Sequence, residues 1–425
     1  MTRPRQQRGA ATLMTVMVLF FVMALVAAYA NRNLIVEQRV AQTFQSLGAA
    51  NEAGNHAAER MLSLLNADNV NEACEPDADG PNTLRQRALR FAADGRIDVP
   101  TAAKGVPNPW DGPYTIYCDR IRAQAWVCQC PVSLKPVAQE DDTQVRESAV
   151  MRIRTLSGKE GISRVGLAIS ACGGPSKGCL DVRQSAFAMV DSVRQFGLVR
   201  ALKMPPVSPL VARGDVDLGT GMLVVHNEPS HGGIALQSGG AVAGNLSNVQ
   251  GPAGAPATSS LLVSDATLAP LSDDECFRRF FGLRLLDYVA QPAMRRLQCP
   301  NDCAKQLELL SKGGAHLIWH DGDLTLSGDV TIGNAAAPVV LIVKGNLLIS
   351  GALQFHGLIF SAGNLVWSNA SMNPSVVHGA VLVAGTVQGE SGTSAVFSGA
   401  VLDILKLQGG SFVPLPGGTT WGKKW

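Results

Sequence analysis

The sequence predicts an α+β protein with a long N-terminal transmembrane helix, a small cysteine-containing α/β head region and a large C-terminal β-solenoid-like domain. Three observations carry that expectation. Ala10 to Ala30 run for 21 residues without a charge. Nine cysteines occur, none of them before Cys74. A short Gly-polar-apolar pattern recurs through the C-terminal half at intervals near 20 residues. These features divide the 425 residues into a leader at 1–9, a helix at 10–66, a cysteine-bearing region at 67–204 and a repeat region at 205–425, with an insertion at about 250–315.

Bulk composition narrows the function classes. A formal charge of +2 with 16% charged residues gives neither a basic footprint for nucleic acid nor an acidic tail. The 44 glycines against 5% aromatics point to many tight turns, as in a β-rich extracellular protein, and away from a helical bundle.

At 1.5 Å per residue the uncharged run is about 32 Å long as a helix, enough to cross a hydrocarbon core. Arg3, Arg5 and Arg8 lead to Gly9 directly before it. A secretory signal has a shorter apolar core with its cleavage site after it; here the natural cut precedes the apolar segment, so the helix stays with the mature chain. Three cations in the leader, against Arg32 and Arg39 mixed with Glu37 beyond the run, predict a cytoplasmic N-terminus. A plain signal anchor for a periplasmic domain fits the same topology.

The helical pattern continues past the apolar run. Leu34, Val40, Phe44 and Leu47 form a loose apolar stripe, and the stretch Gly48 to Leu62 is rich in small residues that permit close packing by neighbouring helices. One long helix is expected, membrane-bound at its start and packed on a globular head at its end.

Gly9-Ala10-Ala11-Thr12-Leu13-Met14, the apolar run and the later Ala49-Ala50-Asn51-Glu52-Ala53-Gly54 resemble the start of PilX-type minor pilins of type IV pilus assembly systems, over roughly residues 6 to 65. The resemblance implies cleavage by a prepilin peptidase between Gly9 and Ala10 and N-methylation of Ala10. It implies insertion and packing through helix residues such as Leu13, Met14, Phe20 and Phe21. The implied partners are major and minor pilins, the prepilin peptidase, the inner-membrane pilus assembly platform and membrane lipid. The implied location is the inner membrane, then the pilus or cell surface. Met14 stands at the fifth mature position, where major pilins carry glutamate. A glutamate there can pair with a neighbouring N-terminal ammonium, so its absence implies a role at the tip or in initiation rather than as bulk polymer.

Residues 67 to 135 read as irregular and turn-rich. Pro107, Pro109, Gly112 and Pro113 beside Trp110, Tyr114 and Tyr117 suggest a loop with an aromatic anchor. The disulfide candidates are Cys74, Cys118, Cys128, Cys130, Cys172, Cys179, Cys299 and Cys303, and the odd total leaves at least one thiol over. Cys128 and Cys130 are too close for a relaxed mutual bond, which favours pairing with Cys118 and Cys74. No histidine lies near them, so zinc is not favoured. Ala149–Leu156 and Ser163–Ala171 alternate as two strands joined by a turn at 157–161, and Cys172 with Cys179 would close a small loop.

In the repeat region, Gly322-Asp323-Leu324, Gly345-Asn346-Leu347, Gly363-Asn364-Leu365 and Gly385-Thr386-Val387 mark successive rungs, with Gly214-Asp215-Val216 and Gly240-Ala241-Val242 as earlier copies. A second ladder comprises His356-Gly357-Leu358, His378-Gly379-Ala380 and Ser398-Gly399-Ala400. The expected core pairs are Val330/Ile332, Leu341/Val343, Ile359/Leu365, Val381/Val383 and Val396/Val401. In the insertion, Ser272-Asp273-Asp274-Glu275 is a capping-box sequence before Phe277, Phe280 and Phe281, which outweighs a calcium reading of the same acids. Cys299 and Cys303 are spaced as a structural staple rather than a redox pair. After residue 322 the acids Asp323, Asp329, Glu390 and Asp403 are dispersed, so no catalytic residue, cofactor or metal is assigned. A membrane-anchored periplasmic β-helix enzyme or carbohydrate binder, and a type II secretion pseudopilin, stand as alternatives.

Overall fold

The structure is a computed structural model that describes residues 10–71, 74–80, 82–99, 115–121, 126–129, 145–156, 163–173, 189–417 and 419–423. The leader with Gly9, the Pro107–Tyr114 segment, the 157–161 turn, Cys130 and Cys179 lie outside the described residues.

Helix α1 (Ala10–Leu65) spans 56 residues without interruption. No proline occurs in it, and Gly48 and Gly54 are tolerated because the helix is held by a membrane-type apolar half and by packing on the head. Helix α2 (Leu84–Ala88) starts in a capping box: Thr83 Oγ1 accepts from Gln86 N, and the Gln86 side chain accepts from Thr83 N.

The head is an antiparallel sheet. Its order runs Gly410–Pro414, Met189–Arg200, Arg164–Cys172, Val145–Arg154, Thr115–Ile121, Trp126–Gln129, and Thr419–Lys423 also pairs with Met189–Arg200. Tyr117 therefore lies in a strand, not in the loop expected of it. Alternate residues Met151 and Ile153, with Leu167, Ile169 and Ala171, meet Ala53, Ala57, Met61, Leu64 and Leu65 of α1 in one core. The small residues of α1 thus seat it on strands rather than on another helix: a Cβ added at Gly54 would stand 3.6 Å from Ala171 Cβ.

The C-terminal half is a stack of parallel rungs forming two sheets. In the smaller sheet Leu324, Leu347, Leu365, Val387, Val216 and Val242 form one column in register, the first five each following a Gly-polar pair and Val242 following Gly240-Ala241. The polar residue links rung to rung. Asp323 Oδ1 accepts from Asn346 N at 2.7 Å, Asn346 Oδ1 from Asn364 N at 2.9 Å, and Asn364 Oδ1 from Thr386 N at 2.9 Å. Asp215 Oδ1 does the same for Ala241 N at 2.8 Å. The preceding glycine is needed because a Cβ at Gly345 or Gly385 would lie within 2.3 Å of that oxygen.

Stack order departs from chain order. The early strands Leu210–Ala212 and Val216–Asp217 pair with Ser375–Val383 and Val387–Gly389, so the first rungs sit beyond the last ones. Leu236–Ser238 and Leu261–Leu262 continue outward. The chain then returns to the opposite end, where Met294–Arg296 pairs with Leu317–His320. Helices α3 (Asp273–Phe281) and α4 (Leu285–Val289) lie on that return path, α3 opening with the Ser272–Glu275 capping box. Their Phe277, Phe281 and Tyr288 cover the outer face of the large sheet against Val340, Ile342, Leu358 and Phe360. That cover explains Val339–Val343, buried at every position: odd residues fill the solenoid and even ones meet the helices. Helix α5 (Ala304–Lys312) inserts Ala304 and Leu307 into the solenoid core near the Met294–Arg296 end.

Of the expected core pairs, Val396/Val401 is corrected. Ala395 faces the core and Val396 is half-exposed, while Val401 belongs to helix α6 (Gly399–Leu407). Ser398-Gly399-Ala400 is accordingly a helix start and not a rung. Ser398 Oγ accepts from Val401 N and the Glu228 carboxylate accepts from Gly399 N, so local capping overrides the repeat. The other two members of that ladder do pair, His356 with His378 and Gly357 with Gly379.

Gly379 has φ +136° and a Cβ there would meet Gly357 O at 1.9 Å, whereas Gly328 has φ +91° with nothing within 4 Å. Gly379→Ala is expected to destabilise the solenoid by about 3 kcal/mol or more. Gly328→Ala should cost only about 1–2 kcal/mol. Chemical denaturation of the two variants checks the contrast, and equal costs would contradict it.

Candidate membrane helix and its anchor in the head

The first half of α1 touches nothing in the head. Leu13, Met14, Phe20 and Phe21 are exposed at 67%, 74%, 75% and 66%. Among the described residues α1 is the one helix long and apolar enough to cross a membrane. An apolar surface of this extent marks a membrane or protein contact. Its first charges are Arg32, Glu37 and Arg39, all exposed.

The last turns of α1 are fastened by a polar cluster. Asn66 Nδ2 donates to Phe412 O and its Oδ1 accepts from Phe412 N, each at 2.8 Å, so the side chain completes the edge of strand Gly410–Pro414. The buried Arg85 donates Nε to Leu65 O, Nη1 to Gly410 O at 2.6 Å and Nη2 to Asn66 Oδ1 at 2.8 Å. Its guanidinium lies over the Phe412 ring, 4.8 Å from the centroid. Among the described residues no carboxylate hydrogen-bonds it; the carbonyl end of α1 supplies part of the compensating negative potential. Burial, with Arg295 nearby, lowers Arg85 to about 9, so it stays charged at neutral pH. Each acceptor left unpaired by its removal would cost about 1–3 kcal/mol.

The cluster extends into the solenoid. Arg295 pairs with Asp68 at 2.8 Å and donates to Asn66 O at 2.8 Å; Asn69 donates to Lys312 O at 3.1 Å. His316 Nε2 lies 3.0 Å from Gly410 O. Burial, then the field of Arg85, lowers His316 to about 3, which keeps it neutral. Sequence reading missed Arg85, Asn66 and His316. Thr83 and Gln86 signal the short helix, but Leu-Arg-Gln-Arg-Ala reads as a solvated surface.

The cysteines assort as follows. Cys118 and Cys128, cross-strand partners, form a disulfide with Cα atoms 4.1 Å apart. Cys299 and Cys303 form another, Cα atoms 5.6 Å apart. Cys74 and Cys172 are each engaged in a further disulfide. Cys276, in α3, is a free buried thiol, and burial pushes it up to about 11. Candidate ligand atoms of Cys299, Cys303 and His320 lie within 4.8 Å of one another. The two sulfurs are bonded together, however, and the His320 nitrogens face Leu297 O and Asp323 O at 3.1 and 2.9 Å.

Other chemistry-bearing groups are engaged in the fold. Asp323 holds the next rung, and Asp329 Oδ2 accepts from Ser371 Oγ and Asn373 Nδ2 at 3.2 and 3.0 Å. His356 and His378 stack with centroids 4.8 Å apart, and burial lowers both.

The fold and site together define a chain in which one membrane-length helix carries an antiparallel sheet and a parallel solenoid. No family model matches it, and no curated protein matches it. Among solved structures it is similar to the competence-associated pilin ComZ from Thermus thermophilus, at 11% identity and a TM-score of 0.24 over 90% of this chain and 98% of that one. A likeness at that level carries no structural argument.

Because His316 is neutral when folded and has its ordinary value of 6.5 when unfolded, the unfolded chain binds the extra proton between pH 6.5 and about 3. Stability is therefore expected to fall as pH drops through that window, and His316→Asn should flatten that fall. Denaturant midpoints against pH check this; identical slopes would contradict it.

Proposed function

We propose that this chain is a minor-pilin-type subunit, inserted in the inner membrane through α1 and incorporated by that helix into a type IV pilus. The observation that carries the reading is the continuity of α1: a charge-free, exposed first stretch runs without a break into a last part built into the head. Such a helix can leave a bilayer for a helical fibre core because both environments satisfy the same apolar surface. Cleavage falls between Gly9 and Ala10, with Arg3, Arg5 and Arg8 holding the leader in the cytoplasm.

Met14 supplies no carboxylate for a neighbouring N-terminal ammonium, so this subunit primes or caps the fibre rather than forming its bulk. Leu13, Phe20 and Phe21 contribute apolar packing area. Its partners on this reading are major and minor pilins, the prepilin peptidase and the inner-membrane assembly platform, and its β-rich head is the surface left for adhesion. Asp215, Asp323 and Asp329 serve rung-to-rung hydrogen bonds, which supports a packing role over a hydrolytic one.

Mass spectrometry of the mature protein is expected to find a chain beginning at N-methylated Ala10, with Gly9 absent. An intact leader in cells that carry a prepilin peptidase would sink the reading and favour a plain anchor. Co-purification with pilus subunits rather than secretion-system subunits separates the two assembly machines.

A further inference from the structure

The entry to α5 brings three side chains of soft-metal character together. Cys299-Pro300-Asn301-Asp302-Cys303 leads into the helix with Cys303 as its N-cap, and His320 ends the strand Leu317–His320. Their ligand atoms lie within 4.8 Å of one another. Cys303 is buried, while Cys299 and His320 are half-buried, so the cluster is reached from solvent.

Two features beyond proximity fit a cation. Three residues between the cysteines fall within the spacing of zinc-binding pairs. His320 has Nδ1 3.1 Å from Leu297 O and Nε2 2.9 Å from Asp323 O. A neutral imidazole carries a single N–H, so it serves one of these carbonyls and turns a lone pair to the other. Metal-ligating histidines are held in this manner, one nitrogen donating to a carbonyl and the other kept for the ion. A cation beside that lone pair removes its repulsion by the second carbonyl oxygen.

We propose that Cys299, Cys303 and His320 form a site for zinc whenever the two cysteines are thiols, so that the metal and the disulfide are alternative states of one cluster. A dithiol interconverts them. Its thiolate attacks Sγ of the half-buried Cys299, and Cys303 leaves as a thiolate at the N-terminus of α5. The second thiol of the reagent then releases Cys299, so the reagent is oxidised to a disulfide and two cysteine thiols result. The ion replaces the two thiol protons, which pass to water. Tetrahedral zinc sets two sulfurs about 3.8 Å apart, a separation that side-chain rotation reaches from Cα atoms 5.6 Å apart. Two thiolates neutralise the ion, which suits a half-buried place, and water takes the fourth position. The disulfide ties Cys299 only to Cys303; the ion also ties both to the strand ending at His320, fixing α5 over the solenoid core. The site lies in the solenoid and is independent of the pilin reading.

The test uses the full chain in detergent micelles, reduced with a dithiol, freed of the reagent without air and titrated with Co(II) alone. One ion per chain is expected, with a thiolate-to-cobalt charge-transfer band that Zn(II) removes by displacement. The unreduced chain should give no such band. His320→Asn, which leaves both thiols, should weaken Co(II) binding at least about tenfold, the lower end of what an outer-shell partner alone is worth. Cys299→Ser should abolish the band although the other cysteines remain as thiols. Circular dichroism of each reduced form reports whether the fold persists. A folded, reduced chain without the band, or a band indifferent to either substitution, would overturn the proposal. So would loss of the fold on reduction, since the fold is what holds the three ligands together.

Discussion

A guanidinium withdrawn from water must find hydrogen-bond acceptors, and Arg85 takes them from two distant parts of the chain. Leu65 O belongs to the last turn of α1, Gly410 O to the strand that closes the head sheet, and Asn66 joins both. Among the described residues its acceptors are backbone carbonyls and the Asn66 amide oxygen, so Arg85 draws on the carbonyl end of the helix, and the position of that end is fixed by electrostatics as well as by packing. His316, held neutral beside it, adds a donor for Gly410 O without adding a second charge. The apolar half of α1 can act as a lever only because its other end is clamped in this way.

The solenoid supplies the other half of that clamp. Its chain-early rungs stack after its latest ones, and the return path through α3 and α4 brings Met294–Arg296 back to the α1 side. Arg295 then reaches Asp68 and Asn66. One end of the stack is thereby built into the helix junction. Burying both faces of the large sheet, under core on one side and aromatic residues on the other, makes the stack rigid enough to carry such a junction.

Local patterns were readable in the sequence, and long-range order was not. The Gly-Asp/Asn-Leu triplets located the rungs of the smaller sheet because each residue has a strict local duty: glycine for close approach, the amide or carboxylate for the next rung's N–H, leucine for the core. The order of the rungs depends on which edges meet, and no triplet encodes that. Val396 and Val401 misled because Ser398 and Glu228 start a helix where the repeat would place a strand. The apolar span of α1 was legible from the missing charges. Its anchor was not, since Arg85 is buried by partners more than 300 residues away in the chain.

Hydrogen exchange on the full chain in lipid nanodiscs tests the clamp most directly. The account predicts that the last turns of α1 and the strand Gly410–Pro414 exchange together at one slow rate. Arg85→Leu should speed both while leaving the Leu347–Ile349 and Leu365–Trp367 rungs protected. Fast exchange at the end of α1 beside a still-protected Gly410–Pro414 strand, or no response to the substitution, would contradict it.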